Sequence, residues 1–176
     1  MLTLANRLTI LRILMTPVIT VLLLYRLTGA ALALFLLAGI TDGLDGLVAR
    51  VWKQKSTLGM VLDPVADKLL LSTTVVTLTI LKELPRWFTI IVVSRDVLII
   101  GGSVILYMFL GKIGMAPSRL GKATTGFQLI TVLCAMLDNF FPALRHAILP
   151  LAIVTLTLTV TSGLDYIYRG LRLLSD

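Results

Sequence analysis

Residues 41–68 read TDGLDGLVARVWKQKSTLGMVLDPVADK, with two aspartates on each side of a short basic connection. Asp42 and Asp45 are three residues apart, and Asp63 and Asp67 are four apart, so each pair shares one face of a helix. The two pairs are mirrored about the connection. In a helical hairpin Asp42 would therefore lie level with Asp67, and Asp45 level with Asp63. The stretch predicts four carboxylates that converge near one end of two adjacent helices.

The chain around this stretch is unusually apolar. Of its 176 residues, 57% are hydrophobic and only 14% are charged, whereas soluble domains carry about 25% charged residues. The excess of apolar side chains has to face lipid. Neither a fixed repeat nor a change of composition divides the sequence, so we expect a single domain over residues 1–176.

A membrane-spanning helix needs about 20 mostly apolar residues. Glycines and prolines at 29, 85, 111, 114, 117 and 142 separate six such segments. The predicted fold is therefore all-α, an integral membrane bundle of six transmembrane helices. The predicted spans are 8–26, 30–50, 59–81, 87–110, 120–141 and 146–168.

Lysine and arginine are distributed unevenly between the two ends of these spans. Ten fall on the side of the basic connection (Arg7, Arg12, Arg50, Lys53, Lys55, Lys112, Arg119, Lys122, Arg169 and Arg172), and four on the other (Arg26, Lys82, Arg86 and Arg145). Since positive loops stay inside, we expect both termini and the aspartates at the cytosolic face, in a bacterial inner membrane. A signal peptide cleaved near residues 31–33 is an alternative that Arg26 disfavours.

The residue types present exclude several kinds of chemistry. A single cysteine, Cys134, cannot form an intrachain disulfide, and a single histidine, His146, gives no support to a metal or Ser-His-Asp site. The net charge of +7 forms no basic stripe with interleaved aromatics, which disfavours nucleic acid and favours anionic lipid as partner.

Four converging carboxylates need cations to stay ionised together. Oxygen-only ligands suit Mg²⁺ or Mn²⁺ rather than zinc, and two such ions about 4 Å apart would clamp a phosphate. Gly46 and Gly59 leave room beside the acids, Ala49 keeps the same face small, and Arg50 offers a planar fork for phosphate. A purely structural role in ion pairs, or a cation or proton pathway, would not explain these small residues.

The full pattern is D-x2-D-G-x2-A-R-x8-G-x3-D-x3-D, and every position from Asp42 to Asp67 matches it. This resembles the CDP-alcohol phosphotransferase family, whose members transfer a phosphatidyl or similar group from a CDP-linked donor to an alcohol and release CMP. The resemblance implies that Asp42, Asp45, Asp63 and Asp67 hold two divalent metals and that Asp67 is the base. It also implies a CDP site lined by Gly46, Ala49, Arg50, Ser56 and Gly59.

Other segments resemble the phospholipid-synthesising branch of that family. Asn6, Thr9 and Arg12 look like an N-x2-T-x2-R element beside the donor site. Residues 118–128, SRLGKATTGFQ, look like an acceptor element. The resemblance implies CDP-diacylglycerol as donor, a homodimer, and glycerol 3-phosphate as acceptor, bound by Arg95, Arg119, Lys122 and Thr125, with Gly121, Thr124 and Gln128 nearby.

The stretch Ser94-Arg95-Asp96 instead resembles the CMP-forming cardiolipin synthases, so phosphatidylglycerol is the alternative acceptor. Arg95 and Asp96 could also simply pair inside the bundle. Two further functions remain open at this point. A membrane prenyltransferase would consume a prenyl diphosphate without releasing CMP, and a small cation transporter would move metal without binding CDP.

Overall fold

A computed structural model describes the backbone of residues 4–52, 57–110 and 118–175. Side chains are described at 9–41, 65–102, 108, 118 and 120–170. Every regular element in these ranges is helical, which confirms the all-α prediction. The elements are α1 (Leu4–Leu24), α2 (Thr28–Trp52), α3 (Thr57–Ile80), α4 (Arg86–Leu110), α5 (Arg119–Leu137), a 3₁₀ turn (Pro142–Leu144) and α6 (Arg145–Ser175).

The helices form two compact units, residues 1–83 and 84–176, called unit 1 and unit 2 below. In unit 1, α1 packs against both α2 and α3. Arg12 pairs with Asp67, and further along both helices Arg26 pairs with Glu83. Because residue numbers increase in the same direction from the first pair to the second, α1 and α3 run parallel. α2 runs in the opposite direction and connects the end of α1 to the start of α3.

The break between α1 and α2 falls at Arg26 and not at Gly29, where the sequence predicted it. Arg26 adopts a left-handed conformation with φ of 61°. Its N–H donates to the carbonyl of Leu23 at 2.9 Å, and the N–H of Leu27 donates to that of Leu22 at 2.9 Å. This is a Schellman ending, which glycine usually provides. Gly29 instead lies within the first turn of α2.

The end of α3 repeats this arrangement at Lys82, whose φ is 65°. The N–H of Glu83 donates to the carbonyl of Leu78 at 2.9 Å, and that of Lys82 donates to Thr79 at 3.1 Å. Two helices of unit 1 therefore end on a basic residue in a conformation that costs an L-residue about 1–2 kcal/mol. The adjoining ends are joined by the Arg26–Glu83 contact of 3.0 Å.

In unit 2, α6 packs against both α4 and α5. Thr131 and Thr155 bring their hydroxyl oxygens within 3.1 Å, and the Thr124 hydroxyl donates to the carbonyl of Leu158 at 3.1 Å. The partners move in opposite directions along the two helices, so α5 and α6 are antiparallel.

Parallel packing joins α4 to α6. Arg95 donates to the Ser162 hydroxyl at 3.2 Å, and the Tyr166 hydroxyl donates to the carbonyl of Ile99 at 3.2 Å. Gly102 makes this approach possible, because a Cβ at that position would lie 2.8 Å from the Tyr166 ring. Unit 2 thus has the same up-down-up order of helices as unit 1.

Both units bury several polar side chains within an apolar core and expose many large apolar ones, which is unusual for a protein folded in water. Thr74, Thr124, Thr131 and Thr155 are buried, whereas large aliphatic side chains on the outer faces are more than 60% exposed, among them Leu14, Ile40, Ile80, Ile90 and Leu164.

Two exposed threonines of α6 form hydrogen bonds with their own helix. Thr157 and Thr161 lie on the outer surface of α6, yet their hydroxyls donate to the carbonyls of Ile153 at 3.0 Å and Thr157 at 2.9 Å. Each hydroxyl is thereby satisfied by the preceding turn of its own helix.

Length and composition qualify two segments of the described helices for crossing a membrane, Leu120–Leu137 and Pro142–Gly170. Thr9–Leu24 and Thr28–Thr41 are shorter apolar helices. The observed helices agree with the six predicted spans to within a few residues at most ends. The largest difference is at α6, which continues to Ser175 rather than 168; α1 begins at Leu4 rather than 8, and α5 ends at Leu137 rather than 141.

Candidate active site

The four aspartates lie in the half of unit 1 that is remote from the Arg26–Glu83 contact, with Asp42 and Asp67 near the middle of their helices and Asp45 and Asp63 closer to the ends. Arg12 lies 12 residues before the end of α1, Asp42 lies 14 residues after the start of α2, and Asp67 lies 13 residues before the end of α3. These separations correspond to about 18, 21 and 20 Å along the helix axes. Asp45 and Asp63 each lie 17 residues from the same reference ends, about 26 Å along the axis. We call this level of unit 1 the aspartate end.

This backbone arrangement agrees with the mirrored spacing expected from the sequence. Asp42 lies level with Asp67, and Asp45 lies level with Asp63. α1 contacts both of the other helices, and the convergence of the four carboxylates stays a prediction, because three of the side chains lie outside the described residues. The arrangement depends on the parallel register of α1 and α3, which the sequence alone does not provide.

Asp67 is the predicted ligand whose side chain is described, and it contacts Arg12. The Nη1 atom of Arg12 donates to Oδ1 of Asp67 at 2.5 Å. The Arg12 side chain is only 3% exposed, whereas that of Asp67 is 48% exposed. A buried cation on one helix therefore holds an accessible carboxylate on another.

The side chains of the other proposed ligands, Asp42, Asp45 and Asp63, lie outside the described residues. The predicted donor-site residues Asn6, Gly46, Ala49, Arg50 and Gly59 have described backbones in α1, α2 and α3, but their side chains also lie outside the described residues. Ser56 lies outside them entirely. Thr9 is described. It is 2% exposed and precedes Arg12 by one helical turn, which places it on the buried face of α1.

The donor set fits divalent cations of the magnesium type. All four predicted ligands are carboxylates, which is the chemistry that Mg²⁺ and Mn²⁺ prefer. The described member of the set, Asp67, has a side chain 48% exposed, so a cation could reach it from outside the helix bundle of unit 1.

In unit 2, Arg95 lies beside the first turn of α5. Its guanidinium contacts Asp96 at 2.9 Å and Ser162 at 3.2 Å, and its side chain is 8% exposed. A Cβ on Gly121 would be 3.3 Å from the Arg95 Nη2 atom, so this glycine permits the close approach. The pairing of Arg95 with Asp96 inside the bundle, one of the two roles considered from the sequence, is present.

The other predicted acceptor residues lie on α5. Lys122 and Thr125 are exposed, and the Thr125 hydroxyl donates to the carbonyl of Gly121 at 3.1 Å. The Arg119 side chain lies outside the described residues. Arg95 and the start of α5 are thus brought together, while Lys122 extends from the helix surface.

Sequence reasoning did not single out Ser162 as the partner of Arg95. The available signal was a polar stripe in the apolar helix α6, formed by Thr155, Thr159 and Ser162 at helical spacing. Gln128 faces the same interior from α5. It is 0% exposed, and neither amide atom has a hydrogen-bond partner among the described residues.

Residues 2–159 match the sequence profile of the CDP-alcohol phosphatidyltransferase family. A probable phosphatidylglycerophosphate synthase of Mycobacterium tuberculosis is 34% identical, over 96% of this chain and 82% of that protein. The CDP-diacylglycerol–glycerol-3-phosphate 3-phosphatidyltransferase of Bacillus subtilis is 31% identical, over 97% of this chain and 96% of that protein. A probable CMP-forming cardiolipin synthase of Drosophila melanogaster is 35% identical, over 94% of this chain and 56% of that protein. The matched region includes all four aspartates and most of the six helices, and the chain belongs to the CDP-alcohol phosphatidyltransferase family.

Proposed function

We propose that this protein transfers a phosphatidyl group from CDP-diacylglycerol to glycerol 3-phosphate and releases CMP. Similarity along nearly the whole chain to the Bacillus and Mycobacterium proteins carries the proposal. The aspartate end supports it, because it offers an accessible carboxylate among four acidic positions. Family membership sets aside the prenyltransferase and the cation transporter.

The reaction needs a nucleophile, a base and a leaving group. The acceptor hydroxyl oxygen attacks the donor phosphorus that carries diacylglycerol, forming a new O–P bond. The bond between that phosphorus and the bridging oxygen breaks, and CMP leaves with the bridging oxygen. Asp67 accepts the proton of the attacking hydroxyl, and its exposure of 48% lets the proton pass on to water. A carboxylate is a weak base at neutral pH, so proton transfer accompanies attack and does not precede it.

Asp42, Asp45, Asp63 and Asp67 would hold two Mg²⁺ or Mn²⁺ ions, which neutralise charge on the donor diphosphate and on departing CMP. Around them we assign the CDP moiety to the small and polar residues of unit 1. These are Asn6, Thr9, Gly46, Ala49, Arg50, Ser56 and Gly59. Small side chains at three of these positions would let the nucleotide approach the helix backbones.

We assign the acceptor phosphate to Arg95, Arg119, Lys122 and Thr125 in unit 2. The Arg95 guanidinium is held by Asp96 and Ser162, so it acts from a fixed position. Lys122 is exposed and can follow a ligand with a flexible side chain. Two arginines and a lysine supply the positive charge that a phosphorylated alcohol requires.

We further propose that all six helices cross the membrane of a bacterial cell, with the aspartate end at the cytosolic face, in a homodimer. The exposed aliphatic side chains of the described helices support a lipid environment, and the exposed threonine hydroxyls that bond to their own helix are compatible with it. The excess of lysine and arginine on the side of the aspartates supports the orientation.

Cardiolipin synthesis, with phosphatidylglycerol as acceptor, is the second candidate. The similarity to the Drosophila protein and the Ser94-Arg95-Asp96 stretch favour it. The deciding experiment supplies purified protein with CDP-diacylglycerol and Mg²⁺ or Mn²⁺, and measures CMP release with each acceptor separately. Release with glycerol 3-phosphate but not phosphatidylglycerol supports the main proposal, the opposite result supports cardiolipin synthesis, and release with neither refutes both.

A further inference from the structure

Gln128 carries a fully buried amide on the face of α5 that contacts α6. Its side chain is 0% exposed, and neither Oε1 nor Nε2 has a hydrogen-bond partner among the described residues. Burying such a group without a partner costs about 1–3 kcal/mol. Polar groups inside proteins are therefore nearly always hydrogen-bonded, either to the protein or to ordered water. The same is expected of this amide, so its partner has to be identified.

Gln128 lies between two contacts that fix the register of α5 against α6. One helical turn before it, the Thr124 hydroxyl donates to the carbonyl of Leu158 at 3.1 Å. One turn after it, the hydroxyl oxygens of Thr131 and Thr155 are 3.1 Å apart. Positions 124, 128 and 131 share one face of the helix. The Gln128 amide is therefore enclosed between α5 and α6, opposite the turn of α6 that these two contacts delimit.

The hydroxyls of this interface do not provide the hydrogen that the Gln128 carbonyl requires. Oε1 can only accept a hydrogen bond, and a threonine hydroxyl has a single hydrogen to donate. Those hydrogens are directed to the backbone carbonyls four residues earlier, at 2.8, 2.8, 2.8 and 2.6 Å, in Thr124, Thr131, Thr155 and Thr159. A different rotamer of Gln128 would bring Nε2 to a hydroxyl oxygen, but these groups would still leave Oε1 without a donor.

The Arg95 guanidinium is held too far along the helix to be that donor. Its Nε atom is buried without a hydrogen-bond partner. Its Nη2 atom, however, donates to Ser162 at 3.2 Å and lies beside Gly121. Gly121 precedes Gln128 by seven residues, about 10 Å along the axis of α5. Within the part of unit 2 that the structure describes, the amide is thus left to a partner from outside the protein.

Water has the chemistry that this partner needs. It can donate one hydrogen to Oε1 and the other to a threonine oxygen, which keeps its lone pairs when the hydroxyl donates to the backbone. Buried water molecules typically make about three hydrogen bonds of this kind. An ion of either sign would have to lose its hydration beside an uncharged amide, at a cost of several kcal/mol. The neutral ligand is therefore favoured.

We propose that at least one water molecule is bound between α5 and α6, where it donates a hydrogen bond to Oε1 of Gln128. Its other hydrogen bonds involve the threonine hydroxyls of the same interface. The site lies within unit 2 and does not depend on which acceptor the enzyme uses. It makes the contact between the two helices wet, whereas their outer faces at the same level expose Leu129, Ile130 and Ile153.

The test is nuclear magnetic resonance on the full chain in detergent micelles, with nitrogen-15 in the glutamine side-chain amides. The sequence has two glutamines, Gln54 and Gln128, so two amide signals are expected. Gln128→Met removes one of them and assigns it; if that variant is not monodisperse, Gln54→Met assigns the pair by elimination. We expect the Gln128 amide hydrogens to show cross-peaks at the water frequency with opposite signs in NOESY and ROESY spectra. Chemical exchange with the solvent would instead give equal signs.

Matched controls exclude a signal that is relayed through a threonine hydroxyl whose hydrogen exchanges with water. Thr131→Val, Thr155→Val and Thr159→Val each remove one hydroxyl and nearly keep the side-chain shape. A water held by Gln128 should keep the cross-peaks in all three variants, whereas a relayed signal disappears with the hydroxyl that carries it. Absence of the cross-peaks in the wild-type protein, or their loss in one of these variants while it remains monodisperse, would overturn the proposal.

A crystal structure of the wild-type protein tests the same site without any substitution. The expected observation is electron density for a water oxygen between α5 and α6, about 2.5–3.0 Å from Oε1 of Gln128. Density that shows Oε1 bonded to a protein group, or an amide with no neighbour at hydrogen-bond distance, would refute the proposal.

Discussion

Two ion pairs in unit 2 have the same length and different surroundings, which allows burial to be tested by itself. Arg95 and Asp96 are 2.9 Å apart with side chains 8% and 5% exposed. Arg169 and Asp165 are also 2.9 Å apart, with side chains 50% and 24% exposed. Asp96→Asn and Asp165→Asn make the same chemical change in the two settings.

The expected costs differ several-fold. Asp96→Asn leaves the Arg95 charge buried without its carboxylate, which costs about 3–5 kcal/mol of the free energy of unfolding. Asp165→Asn removes an exposed pair one helical turn apart, worth about 0.3–0.5 kcal/mol. Replacing both buried charges, in Arg95→Met/Asp96→Leu, removes the unpaired ion and should return the free energy to within about 1 kcal/mol of wild type.

Unfolding in mixed detergent micelles titrated with sodium dodecyl sulfate, followed by far-ultraviolet circular dichroism, gives these free energies. The reasoning would be refuted by equal losses in the two asparagine variants. It would also be refuted if Arg95→Met/Asp96→Leu had a lower free energy of unfolding than Asp96→Asn. That result would mean that the ion pair contributes more stability than its burial costs.

Three further predictions concern the site and the fold. Asp67→Asn should lower CMP release at least 100-fold at saturating substrates, because both the base and a metal ligand are lost; turnover within tenfold of wild type would contradict its assignment. Lys122→Ala should raise the KM for glycerol 3-phosphate about tenfold or more, as loss of a charged hydrogen bond predicts, and change that for CDP-diacylglycerol little; equal changes in steady-state assays would remove Lys122 from the acceptor site. Lys82 adopts a left-handed conformation with φ of 65°, and Lys82→Gly should raise the free energy of unfolding by about 0.5–1 kcal/mol by relieving it. A lower free energy of unfolding for Lys82→Gly in the micelle titration would show that this conformation is not costly.

The sequence predicted the helices well because their signals are local. Long apolar segments and the prolines at 85 and 142 place the elements, and the spacing of the aspartates places them on helix faces. The turn after α1 was predicted less well. Gly29 is the residue that favours a left-handed ending, but the left-handed residue is Arg26, which follows the end of α1 and pairs with Glu83 beyond the end of α3. The Arg26–Glu83 pair is a tertiary contact that local sequence signals do not include.

Pairings between distant residues were the part that the sequence did not reveal. Arg12 and Asp67 are 55 residues apart, and Arg95 and Ser162 are 67 apart. Each pairing depends on the axial register of two helices, which is set by packing of side chains along their whole length. The charge of Arg12 in an apolar segment did indicate that a partner was needed, but several aspartates could have supplied it.

The contact between Arg12 and Asp67 also bears on how the chain is made. At about 5–20 residues per second, the ribosome adds Asp67 some 3–11 s after Arg12. During that interval α1 carries a charge whose transfer to the centre of a bilayer costs about 2.5–3.5 kcal/mol on insertion scales. In a chain that is synthesised into a membrane, α1 is therefore expected to stay beside the translocon until α3 arrives, so that the two helices enter lipid together as a neutralised pair.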